Sequence, residues 1–158
     1  MMPADMIPGD VMGRLEALRD RLRDMPTEPF PPHLQERWEE FFTGVAYTCK
    51  IGLEDNLTPA DYPMIRIVPS LSQPGATLGR RKTDAMIYFG LPIHAFDDTP
   101  DSAGRVRLEK LYAALLTMEA AICAQVDHAG GQYVETIFDE DRIDASYKLM
   151  AVRAVIHG

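Results

Sequence analysis

The segment Asp84–Phe96, DAMIYFGLPIHAF, followed at Arg105–Asp127 by RVRLEKLYAALLTMEAAICAQVD, decides what kind of fold this chain adopts. In the first, Ala85, Ile87, Phe89, Leu91, Ile93 and Ala95 alternate with Met86, Tyr88, Gly90, Pro92, His94 and Phe96, the two-residue period of a strand. Both sets are largely apolar, so the strand is expected to be covered on both sides, by a helix on one and a partner on the other. Gly90 and Pro92 predict a bulge or bend midway. In the second segment Leu108, Leu111, Tyr112, Leu115, Met118, Ile122 and Val126 recur at three and four, the stripe of one long amphipathic helix that Gly130-Gly131 ends. Two further strand-like runs, Gln132–Phe138 and Tyr147–His157, follow and are expected to form a hairpin. Strand, long helix and hairpin together predict an α+β fold.

Working back toward the N-terminus, Val45–Leu53 alternates Val45, Tyr47, Cys49, Ile51 and Leu53, and Pro63–Pro69 is a short strand bracketed by prolines. Ser70–Thr83 then forms the long tip of a hairpin. The sheet is therefore mixed or antiparallel with about five strands, a long helix on one face and N-terminal helices. The first helix runs from Asp10, a suitable N-cap, to about Asp24, with Val11, Leu15, Leu18, Leu22 and Met25 on one stripe. Its other face carries Arg19, Asp20, Arg21, Arg23 and Asp24, read either as a solvated ion-paired face or as a docking face for a neighbouring subunit. Four prolines between Met25 and Pro32 make a stiff connector. Leu34–Phe42 is a short helical turn presenting Leu34, Trp38, Phe41 and Phe42. Trp38, the only tryptophan, is either a core anchor or a subunit contact. The whole chain, 1–158, is read as one domain, with helices and connector at 10–43 and sheet plus long helix at 44–158.

The formal net charge is -8, which opposes free association with nucleic acid over a broad basic face. Cys49 and Cys123 are too few for a disulfide framework or a closed zinc site and suit a reducing compartment. MMPADMIPGD lacks the basic and apolar regions of a signal peptide, and no run has the roughly 18 apolar residues of a membrane span. SLSQPGATLGRRKT, at 70–83, resembles a phosphate-binding loop only superficially: Gly79 is followed directly by Arg80, Arg81 and Lys82, and a strand comes next where a helix is required. That basic cluster is read as a solvated tip, a contact for an acidic protein, or a contact for passing DNA. Asp139, Glu140, Asp141 and Asp144 lack the glycine and closing glutamate of a calcium loop. His33, His94, His128 and His157 stand in separate elements without a second ligand nearby in sequence. No catalytic, metal or cofactor site is expected.

The order of elements across residues 10–157, with Tyr62-Pro63-Met64-Ile65-Arg66-Ile67-Val68-Pro69 before a basic loop and the terminal strand Lys148–Ile156, resembles the tail-terminator and tail-completion (neck) proteins of long-tailed bacteriophages, the lambda-type minor tail protein U family. The proline-rich connector and second short helix depart from that layout. The resemblance implies a virion protein, assembled in the host cytoplasm, that forms a homo-oligomeric ring, typically a hexamer. Such a ring caps the tail tube and receives the head-side connector or stopper protein, with DNA passing only through the lumen and no membrane or cofactor involved. It performs no bond chemistry. Closed rings need two unlike patches that meet between neighbours. Candidates are the first helix with Arg19 and Arg23, the strand face bearing Tyr88, His94 and Phe96, the Arg80-Arg81-Lys82 loop, and Trp38. Alternatives are another head–tail connector, a small ligand- or protein-binding domain with a pocket between helix and sheet, and a toxin or immunity-type binding module.

Overall fold

The computed structural model describes residues 8–25, 30–54, 61–74, 81–92, 109–138 and 147–157. In chain order these form α1 (Pro8–Arg23), α2 (Pro32–Phe42), β1 (Thr48–Ile51), β2 (Met64–Pro74), β3 (Arg81–Pro92), α3 (Glu109–His128), β4 (Gln132–Phe138) and β5 (Tyr147–His157). The strands make one five-stranded mixed sheet in the order β1-β2-β3-β5-β4. β1 runs parallel to β2, and every other neighbouring pair is antiparallel. The fold class is α+β with an open sheet, as the alternating and helical periods indicate.

Register assigns the faces. Ile65 and Ile67 of β2 pair with Phe89 and Ile87 of β3, which in turn oppose Met150 and Val152 of β5, and all six are buried. Leu15, Leu18 and Leu22 of α1, Leu34, Trp38 and Phe42 of α2, and Leu111, Leu115, Met118 and Ile122 of α3 complete the same core. α1 packs on β1 and β2, α3 packs on β3, β4 and β5, and α2 packs on α3. Ala114, Thr117, Ala121 and Gln125 are buried beside the apolar stripe of α3, which contacts the sheet and also α1 and α2. Its end is a Schellman turn. Gly130 has φ 76°, its N–H bonds Asp127 O at 3.0 Å, and Gly131 N–H bonds Val126 O at 2.8 Å.

Several expected boundaries move. α1 begins at Pro8, so Asp10 lies inside its first turn and is not the N-cap; proline with its fixed φ suits a helix start. β1 keeps only Thr48–Ile51 of the expected Val45–Leu53, because Gly52 at φ 96° turns the chain and leaves Leu53 exposed. Pro69 does not end β2, which continues to Pro74, and the hairpin arms grow at the expense of the expected tip. The bulge expected at Gly90 lies instead on β2, between Pro69 and Leu71, where proline has no N–H to offer the ladder. β3 pairs with β5 from Lys82 to Pro92 without a break. Ile93–Phe96, expected in the strand, and Arg105–Leu108, expected in the long helix, lie outside the described residues, as do residues 26–29 of the proline connector and the acidic run at 139–144.

Candidate interaction surfaces

The helices pack on one face of the sheet and leave the other face open. β1, at one edge, is four residues long and carries α1 against it. β4, at the other, is seven residues long and pairs only with β5. Not one of its residues is buried, and Tyr133, Val134, Ile137 and Phe138 are among the most exposed large hydrophobics of the described residues, Phe138 reaching 54%. A register shift between Tyr133 and Glu135 places Val134 at a bulge. An apolar edge strand is a template for contact with another chain unless something covers it. Ile137 lies opposite Ala151, which lies opposite Tyr88, so the apolar strip runs from the edge onto the open face of the sheet. There Tyr88, Leu149, Ile137 and Phe138 border a shallow hollow of about 180 Å³.

The rest of that open face is closed by polar and aromatic contacts. Arg66, 2% exposed, bonds Glu54 Oε2 at 2.9 Å, Thr48 Oγ1 at 3.0 Å and Ile65 O at 2.9 Å. Its hydrogen bond holds the Glu54 carboxyl below the usual range. Tyr62 lies over Gly90 and stacks on Tyr147, with ring centroids 4.4 Å apart. Arg153 bridges Asp84 at 3.2 Å and Glu135 at 3.5 Å, tying β3, β5 and β4 together across the surface.

In the helical layer α2 and α3 leave a groove of about 360 Å³. Leu34, Ala113, Leu116 and Ala120 line it, with His33 and Arg37 also present and Thr117 donating its hydroxyl to Ala113 O at 2.8 Å. Leu116 is one of the exposed large hydrophobics. The groove residues lie about half a turn around α3 from the sheet-facing Leu111, Met118 and Ile122.

The residues singled out from the sequence are scattered over this framework. Trp38 is 3% exposed and packs 4.5 Å from Phe42 and 5.5 Å from Phe30, so it belongs to the core and not to a surface contact. Arg19 and Arg23 both pair with Asp20, at 3.0 and 3.2 Å, and Arg23 also meets Asp24, the ion-paired face expected of α1. Tyr88 is half-buried on the open face, and Lys82 is exposed on β3 near the hairpin tip. Arg80, His94 and Phe96 lie outside the described residues; Arg81 is placed only as the first residue of β3. The apolar β4 edge and the α2–α3 groove were missed. QYVETIF carries apolar side chains at both parities, a signal that this strand lacks a single buried face.

Both cysteines are free thiols. Burial pushes Cys49 up to about 12 and Cys123 up to about 11, which keeps each protonated near neutrality. Among the described residues no group of three metal-ligating side chains converges, and no helix is long and apolar enough to cross a membrane. Compared with known proteins, the chain matches no family model and no curated sequence.

Proposed function

We propose that this chain is a structural virion protein of the neck of a long-tailed bacteriophage, capping the tail tube as a homo-oligomeric ring and joining it to the head connector. The single observation that carries the reading is β4, a seven-residue edge strand with four large apolar side chains exposed to solvent. A surface of that kind is built for contact with another protein. The extended β2–β3 hairpin, with Lys82 exposed near its tip, supplies a second feature suited to reaching a neighbour. In this role the protein works through shape: a tube-like surface on one side ends polymerisation, and an acidic chain of net charge -8 lets DNA pass without sticking. The layout resemblance drawn from the sequence selects the neck from among protein-binding roles.

Mass measurement on a sizing column, followed by binding to purified tail-tube protein, tests the reading. Assembly into a multiple of the 17.7 kDa chain together with tube binding supports it. A subunit that stays single at high concentration and ignores the tube contradicts it. A second reading, a small ligand-binding domain, is favoured by the α2–α3 groove, whose volume lies at the low end of ligand pockets, about 300–1,000 Å³. A ligand-driven rise in Tm supports that alternative.

A further inference from the structure

We infer that β4 is a hinged strand, able to lift off β5 from its Phe138 end while the rest of the fold stays closed. The opening itself is independent of the proposed assembly; its use, as a contact between copies, rests on that reading. Side-chain burial is the first support. None of the seven residues of β4 is buried, only Thr136 is half-buried, and no β4 side chain joins the core. The opposite edge strand, β1, is secured differently. Cys49 lies in the core, Ile51 packs against it, and the buried Arg66 guanidinium donates to Thr48 O and Thr48 Oγ1.

The second support is what holds β4 in place. Its ladder to β5 is interrupted between Tyr133 and Glu135, and among the described residues the ion pair that reaches it is Arg153–Glu135, at 3.5 Å between exposed side chains. Such a pair contributes little. β5 does not depend on β4: it pairs with β3 from Tyr147 to His157 without a break, and Met150, Val152 and Ala154 lie in the core. Lifting β4 therefore gives up one interrupted ladder and little apolar burial, the profile of a segment that opens locally. The hinge is at the other end. Gly130, at φ 76°, and Gly131, whose N–H bonds Val126 O at 2.8 Å, tie the start of the strand to the end of α3. A Cβ on Gly131 meets Val126 Cγ1 at 2.9 Å and Val155 O at 3.1 Å, so the backbone is closely packed there. Motion is thus largest at Ile137 and Phe138, the exposed apolar end.

Amide hydrogen exchange read by mass spectrometry on the unaltered full-length chain, diluted until it runs at the mass of one subunit, is the test. Peptides from β4 are expected to exchange about a hundredfold or more faster than those from β3, and to keep that rate in dilute denaturant, because local opening exposes little surface. Glu135→Gln removes the bridge but keeps Asp84 with Arg153, and is expected to speed β4 roughly two- to fivefold while leaving β3 unchanged. If β4 and β3 exchange at one rate with one denaturant dependence, the strand opens only with the whole fold and there is no hinge. Raising the concentration until copies associate is a separate arm. Slowed exchange in β4 then supports its use as the contact, whereas unchanged exchange in an associated protein removes the edge from assembly and leaves the hinged strand standing.

Discussion

At Gly90 the sheet leaves out a side chain so that Tyr62 can lie flat on it. A Cβ there collides with Tyr62 Cε1 and meets Lys148 O at 3.0 Å, and the ring is stacked on Tyr147. Gly90→Ala is therefore expected to lower stability by about 1–3 kcal/mol, the usual cost of forcing extra volume into a packed site, read from the denaturant midpoint. Gly13 gives the opposite result. It lies inside α1 with nothing within 4 Å of a built Cβ, so Gly13→Ala is expected to raise stability by about 0.5–1 kcal/mol. Trp38→Ala is expected to cost about 3–5 kcal/mol in the same assay, whereas a tryptophan acting only between subunits leaves subunit stability unchanged. Glu54 sets a pH dependence. Its carboxyl titrates below its ordinary 4.5 because Arg66 bonds the charged form, so the stabilisation is present above that value and is lost as pH falls through the folded one. In Glu54→Gln the decline in Tm over that acid window is shallower. Trp38 and Gly90 stood out in the sequence, but Gly90 as a bend; the ring over it and the buried Arg66 guanidinium come from contacts between β1, β2 and β3 that spacing does not show.

Among the elements, the two whose period was unambiguous, the α1 stripe from Leu15 to Met25 and the α3 stripe from Leu111 to Val126, were legible from spacing alone. The final hairpin was legible to the residue, since Gly130-Gly131 closes the helix and polar residues separate two apolar runs. What spacing could not give was context. Ala114, Ala121 and Gln125 are buried because three helices meet there, and Val45–Tyr47 leaves the strand because backbone turns at Gly44 and Gly52 confine β1. The exposed apolar edge was missed for a related reason: Tyr133, Val134, Ile137 and Phe138 read as ordinary strand residues until the sheet order puts β4 at an edge. Exposure in the single subunit makes a clear expectation at this scale. Val134→Lys or Tyr133→Lys should change subunit stability by no more than about 0.5 kcal/mol, while weakening assembly measured by light scattering.

For the molecule as a whole, the sheet divides the labour. One face and three helices form the core, the other face is partly closed by the Tyr62–Tyr147 stack and the Arg66–Glu54 pair, and β4 remains open. Cys49 and Cys123, raised by burial to about 12 and about 11, belong to this packing. Neither thiol is expected to react quickly with iodoacetamide at pH 8 until denaturant opens the fold. Function on the proposed reading lies in how copies meet, and the exposed apolar β4 edge is the surface on which that reading rests. Electron images of the purified protein at high concentration measure that meeting most directly. Uniform rings with a central hole are the predicted result. Isolated 17.7 kDa subunits, or symmetric pairs that never close, contradict it.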